Sequence, residues 1–364
     1  MKKKVSFMRV LRLAGAYVAC AIGSGFATGQ EIMQFFTGQG IWSMAGILVN
    51  TFLFSLCGAL FMKHGFVHRL DNPTEIMKLY FGKRFGSAVE IIFQVFLYGV
   101  YVIMIAGAGA TLEEYFGINP IVGRILMALA VFATVVLGLS KLTDVLGMVG
   151  PLIILFALFV GIWSFFRDPS AIFEADRLIA TVDIVVTKGG WFWSSVLYPA
   201  FNAVVVLILS CSIGRSAESE EEAFRGGLLG GILFGAAICT MNLGLLANLG
   251  EVWEKYIPTL TLAKHIGSVF ATVFSVIICM GTYTTAVPML WGIARHFAPD
   301  RSLKMTVLAL ALTVIGLILG ATDFKVLVNV IYPFSGYAGV LLIALSVLRE
   351  VLDKKKKPEI GGEQ

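Results

Sequence analysis

The sequence predicts an all-α integral membrane protein: ten transmembrane helices arranged as a 5+5 inverted repeat, with helices 1 and 6 broken. Three observations lead there. Of the 364 residues, 58% are hydrophobic and only 14% charged, against about 25% charged residues in ordinary soluble domains. Apolar runs of about 20 residues, enough to cross a hydrocarbon layer of about 30 Å as helix, recur from end to end. Residues that break helices stand at corresponding places in the two halves of the chain.

Runs and breakers place spans at 9–36, 41–62, 85–111, 120–140 and 144–166, and again at 191–213, 224–249, 267–296, 303–321 and 325–349. The starts of the third to fifth spans precede those of the eighth to tenth by about half the chain length. Each half holds an odd number of spans, so a duplicated second half must enter the bilayer from the opposite side. The expected organisation is one transmembrane domain over 1–350, made of repeat one (9–166), an extracellular linker (167–190) and repeat two (191–349), followed by a cytoplasmic tail (351–364). The first run continues past Phe35 without a small-residue cleavage site, so the mature chain is expected to begin near Met1.

Charge reports topology. With the N-terminus inside, 21 of the 28 Lys and Arg fall on cytoplasmic segments, among them Arg9, Arg12, Lys141, the basic loop from Lys63 to Arg84 and Lys354 to Lys357. That bias places both termini in the cytoplasm of a multi-pass plasma-membrane protein. The net charge of +5 therefore calls for a lipid bilayer as partner and for no nucleic acid. The cysteines Cys20, Cys57, Cys211, Cys239 and Cys279 all lie in apolar runs and are odd in number, which indicates neither a disulfide framework nor a CxxC metal site. His64 and His68 stand at i and i+4; a basic membrane-flanking segment accounts for them as well as a metal site does.

The first span contains AIGSGFATGQE, residues 21–31. Glycine weakens a helix by about 1 kcal/mol and proline by about 3, and backbone freed in lipid needs partners in protein or in a wet cavity. Gly23, Ser24 and Gly25 interrupt the first span, and Tyr198-Pro199-Ala200-Phe201-Asn202 interrupts the sixth. Paired interruptions in inverted halves point to a binding site at the bilayer midplane. Close helix packing through small residues competes for the GSG stretch, and is the preferred reading for Gly227, Gly231 and Gly235 and for AGAGA at 106–110. Glu31 is costly at depth, so it faces protein or water as a gate or proton-titrating residue, unless it lies near enough to the interface to be solvated. Glu90 reaches the cytoplasmic interface.

In the eighth span, Gly281, Thr284 and Thr285 share one helical face, and Pro288 has no N–H for the Thr284 carbonyl. Such oxygen atoms suit Na⁺. The competing reading has the threonines bonding back to their own helix.

These residues resemble a known group. IGSGF is similar to the first-span break of the amino acid, polyamine and organocation (APC) transporter superfamily; the 5+5 architecture resembles the LeuT fold, and the chain from 9 to 349 resembles YkvI-type bacterial membrane proteins. The resemblance implies a secondary transporter of a small solute such as an amino acid, coupled to Na⁺ and working by alternating access. It implies Na⁺ ligands at the carbonyls of Ala19, Ile22 and Gly281 and the hydroxyls of Thr284 and Thr285. A substrate carboxylate would meet the N–H groups of Ser24 and Gly25 beside Gly23, and an amine the carbonyls near Ile22, Tyr198 and Phe201. Tyr98 and Tyr101 are candidate hydroxyl donors, with Phe201 and Asn202 shaping the pocket; packing is the alternative for each tyrosine. Glu31 departs from the sodium pattern and leaves a proton-coupled transporter or exchanger open, as well as a non-transporting sensor or channel on the same fold. No P-loop is present, no charged cluster marks an enzyme, and no cofactor is expected besides Na⁺ as coupling ion.

Overall fold

The computed structural model describes residues 5–69, 75–137 and 143–356. Lys141, the end of the fourth expected span at 138–140, Lys2 to Lys4 and most of the tail lie outside them. The described residues form helices and connecting turns, with no strand among them.

The expected first span is divided into α1 (Phe7–Ala21), α2 (Ser24–Thr28) and α3 (Gln30–Phe35). Ile22 and Gly23 take extended backbone between the first two, and Gly29 sits at φ 78° between the last two, a left-handed conformation that glycine adopts without steric cost. A 3-10 segment, Thr37–Trp42, leads into α4 (Ser43–His68). There follow α5 (Glu75–Phe116, kinked at Gly82), α6 (Pro120–Leu137) and α7 (Thr143–Arg167). The chain then turns by 88° into the short α8 (Ile172–Ile179). The second half contains α9 (Gly190–Arg215), α10 (Glu220–Ala247), the short α11 (Leu249–Val252) and α12 (Pro258–Ile266), α13 (Ser268–Phe297), α14 (Leu303–Leu319) and α15 (Phe324–Lys356). Among the described residues seven helices are long and apolar enough to cross a membrane, eight if the bent pair around Arg167 forms one span; α14 is shorter, at 17 residues. With large apolar side chains such as Leu48, Phe52, Val95, Leu126 and Ile318 facing outward, the chain is a multi-pass membrane protein.

One expectation fails: the sixth span is not broken. The helix α9 continues through Pro199. Proline removes one N–H, which leaves only the Ser195 carbonyl without its helical donor, and close neighbours hold the helix on course. Gly339 of α15 lets that helix lie directly against the Ala200 backbone. On the other side α4 packs along α9, and Asn202 Nδ2 donates to the Tyr198 carbonyl at 3.1 Å.

Helices α1, α4, α9 and α10 form the tightest part of the bundle. Glycines make it possible. A Cβ on Gly227 would collide with the backbone of Gly58, one on Gly231 with the backbone of Ser55, and one on Gly214 with that of Met62. Gly235 lies against the Thr51 side chain, Gly107 against Phe324 and Gly109 against Pro120 and Arg124, so the small residues of spans 3 and 7 serve close packing. Tyr17 Oη crosses from α1 to donate to the Phe54 carbonyl at 3.0 Å.

A buried polar junction ties α10 to the segment after α3. Thr37 Oγ1 donates to Asn242 Oδ1 at 2.9 Å, and Asn242 Nδ2 donates to Ser43 Oγ at 2.8 Å. Replacing Asn242 by leucine strands both hydroxyls. The expected loss of stability is about 1–2 kcal/mol, to be read as a lower midpoint of thermal unfolding in detergent.

The stretch expected as a basic loop begins as helix: Lys63, His64 and His68 belong to α4. Lys63 Nζ pairs with Glu350 at 2.6 Å and Glu220 at 3.1 Å, while His64 Nδ1 is 2.7 Å from Tyr80 Oη. His68 Nε2 lies 3.5 Å from Asp353. His64 and His68 thus lie in a polar network with Tyr80, Glu350 and Asp353; among the described residues no group of three or more His, Cys, Asp or Glu is placed to hold a metal. Glu90 Oε1 lies 3.7 Å from His296 Nδ1 and helps join α5 to α13.

Candidate functional site

The break between α1 and α2 opens onto a cavity of about 240 Å³ at the centre of the bundle. Its wall draws on six stretches of chain. The first segment supplies Ala19, Cys20, Ile22, Gly23, Gly25 and Glu31; α9 supplies Phe201 and Asn202; α13 supplies Thr284, Thr285 and Pro288; and α5, α7 and α15 contribute Met104, Ile153 and Tyr332. A wider cleft of about 800 Å³ lies between the end of α7, α8 and α11. Its lining mixes Arg167, Asp168, Glu174, Arg177 and Glu251; Arg167 contacts His265, whose Nε2 is 2.7 Å from Glu251. We take the central cavity as the site because it joins the helix break to the polar face of α13.

Glu31 is 7% exposed. From the start of α3 its carboxylate reaches back to the first turn of α2, so that Oε1 occupies the place a Cβ on Gly25 would take. Tyr198 Oη donates to Oε2 at 3.2 Å, and the Tyr332 hydroxyl lies beside Gly25 near the same carboxylate. The ring of Tyr332 stacks on Phe201, with centroids 4.4 Å apart and planes 5° from parallel. Tyr198 itself is fully buried between Phe35, Phe36 and Phe201.

Thr284 Oγ1 and Thr285 Oγ1 both donate to the Gly281 carbonyl, at 3.0 and 2.9 Å. The hydroxyl oxygens remain at the cavity wall, and Thr285 Oγ1 is 3.6 Å from the point where Gly23 would carry a Cβ. Thr28 Oγ1 donates to the Gly25 carbonyl at 2.8 Å and receives the Gln30 N–H at 3.3 Å, which steadies the turn at Gly29.

The structure thus brings Ala19, Ile22, Gly23, Gly25, Glu31, Phe201, Asn202, Thr284 and Thr285 to one cavity, with Ser24 at the start of α2 and Gly281 one turn behind the threonines. It does not bring Tyr98 and Tyr101 there. They stack on one another and face α14, where Tyr98 Oη donates to the Leu312 carbonyl at 2.7 Å and Tyr101 fills the space beside Gly316. Tyr198 reaches the site only through its hydroxyl, because the helical carbonyl is engaged by Asn202. Tyr332 was not among the expected residues. Its signal is the Tyr-Pro pair 332–333, which repeats the pair 198–199 of the sixth span.

With this geometry in view, the chain can be set beside known proteins. Its helices superpose on MhsT bound to L-phenylalanine with a TM-score of 0.66, over 99% of this chain and 94% of that one at 12% identity. This is the LeuT fold. A manganese transporter of Eremococcus coleocola shares the LeuT fold with a TM-score of 0.58 and 16% identity, over 96% of this chain and 80% of the other. In sequence, the chain is 26% identical over 332 residues to the uncharacterized membrane protein YkvI of Bacillus subtilis (strain 168), covering 91% of this chain and 93% of that protein. YyaD of the same strain is 23% identical over 341 residues, 92% of this chain and 95% of YyaD. No protein-family profile matches.

Proposed function

We propose that this chain is a secondary transporter which carries a small solute through the central cavity by alternating access, with Na⁺ as the coupling ion. The observation that carries the reading is the cavity itself: a helix break, a buried carboxylate and a face of threonine hydroxyls meet in about 240 Å³ at mid-bundle. Solved structures of the same fold include a manganese transporter, which supports transport as the activity. On this reading the chain is not an enzyme, repeats 9–166 and 191–349 are inverted copies, and both termini lie in the cytoplasm of the plasma membrane.

For Na⁺, the carbonyls of Ala19, Ile22 and Gly281 and the hydroxyls of Thr284 and Thr285 form the ligand set. A hydroxyl that gives its proton to the Gly281 carbonyl still offers lone pairs to a cation, so the back-bonding of both threonines is compatible with the role. The double change Thr284→Ala with Thr285→Ala is expected to abolish Na⁺-dependent solute counterflow in proteoliposomes while the protein elutes as a folded species. Sodium dependence that survives the double change rejects the site.

The burial of Glu31 in the same cavity favours one second reading, coupling to protons. Solute accumulation driven by a pH gradient without Na⁺, and lost in Glu31→Gln, decides for protons over sodium.

A further inference from the structure

Between α8 and α9, residues 183–187 form neither helix nor strand, yet they are pinned to both halves of the bundle. The Thr187 N–H donates to the Gln34 carbonyl of α3 at 3.0 Å, and Gln39 Nε2 donates to the Thr187 carbonyl at 3.3 Å. From α15, Asn329 Nδ2 donates to the Val186 carbonyl at 3.3 Å. Val186 Cγ1 fills the space that a Cβ on Gly38 would take, with Ile184 beside it. The segment is a strap laid from α3 to α15.

Against the strap lies a chamber of about 360 Å³, walled by Gln30 and Met33 of α3, by residues 183–185, and by Trp253, Glu254 and Lys325. Gln30 borders this chamber, and the next residue, Glu31, borders the central cavity. The first turn of α3 therefore parts the two spaces.

Two features suit the strap to movement. Gln30 Oε1, Gln34 Oε1 and Thr187 Oγ1 are buried without a hydrogen-bond partner among the described residues, and polar atoms shut away unpaired oppose closure. The strap also enters α9 through Gly189 and Gly190, at φ 102° and 77°. Glycine passes between left- and right-handed backbone without steric cost, and a few such residues suffice to absorb a hinge rotation.

We propose that residues 183–187 are a lid on the central cavity, closed in this structure and hinged at Gly189 and Gly190, whose lifting joins the chamber to the cavity past Gln30 and Glu31. On the orientation proposed above, this is the outer lid.

Cys20, in the wall of the central cavity, reports entry without any solute. Intact cells are treated with the membrane-impermeant cation 2-(trimethylammonium)ethyl methanethiosulfonate, and peptide mass spectrometry reads the rate of Cys20 modification. A disulfide formed with copper phenanthroline in Gly38→Cys with Val186→Cys is expected to slow modification about tenfold or more, and its reduction to restore the rate. Removing two pins, in Gln39→Ala with Asn329→Ala, is expected to speed modification about tenfold. In inside-out vesicles, where the reagent arrives from the other face, the cross-link is expected to leave the rate within about twofold. An unchanged rate in cells for either folded variant, or equal slowing from both faces, overturns the lid. If the cross-linked protein does not fold, the loosened variant decides: modification no faster than in the unaltered protein overturns it. Counterflow tests the transporter reading separately, so the two fail independently.

Discussion

Gly25→Ala is expected to abolish solute binding while the bundle stays folded. Its Cβ would stand where Glu31 Oε1 now lies, and only 3.2 Å from the Tyr332 hydroxyl, so the carboxylate must leave the site. The backbone itself gains, since alanine favours helix over glycine by about 1 kcal/mol. What leaves the cavity wall is the buried Glu31 carboxylate, a polar contact for the solute on the transporter reading, and removing one side of such a desolvated contact costs about 2–5 kcal/mol. Solute affinity should therefore fall on the order of a hundredfold or more. Counterflow in proteoliposomes gives the affinity, and thermal unfolding of the same preparation gives the stability. A collapse of folded yield with affinity unchanged in the remaining protein would show that Gly25 serves packing, as the glycines of α10 do.

At Gly227 the expectation is reversed: Gly227→Ala should damage the fold first. There the new methyl meets the carbonyl and amide of Gly58 and Ala59, and backbone cannot rotate away as a side chain can. Overpacking of this kind costs about 1–3 kcal/mol. Gly231→Ala, against the Ser55 backbone, should cost a similar amount. The two sites share the α4–α10 contact, so the double variant is not expected to be additive. Gly235→Ala meets the Thr51 side chain instead and should be the mildest of the three. Midpoints of thermal unfolding, and the yield of monodisperse protein, rank the series.

Most of the helix layout was legible in the sequence because the bilayer imposes it. Expected spans at 191–213 and 303–321 correspond to Gly190–Arg215 and Leu303–Leu319, since an apolar stretch of fixed length leaves little freedom in its ends. The break at Gly23 was legible for the same reason: glycines beside polar residues in lipid have few other uses. The continuity of α9 was not legible. Whether Pro199 breaks a helix depends on what lies beside it, and Gly339, which admits α15 against Ala200, is 140 positions away in the chain. Tyr98 and Tyr101 were misplaced because helical spacing does not say which neighbour a face meets; the neighbour is α14, through Gly316. The short helices α8 and α12 carry too few apolar residues to stand out between spans. Glu31 was recognised as costly, but its return to Gly25 depends on the left-handed turn at Gly29, which redirects the chain within one residue.

That turn has a mechanical result. Thr259 Oγ1, on α12, donates to the Ala27 carbonyl at 2.6 Å, and its methyl lies against Gly29. Gly29 thus works as a pivot between two stubby levers, α2 and α3, and α12 is the clasp that holds the pivot shut. Turning α2 against α3 would have to release the Thr259 hydroxyl, while α3 is moored separately, by Gln34 Nε2 to the Lys325 carbonyl and by Ser194 Oγ to the carbonyl of Phe35.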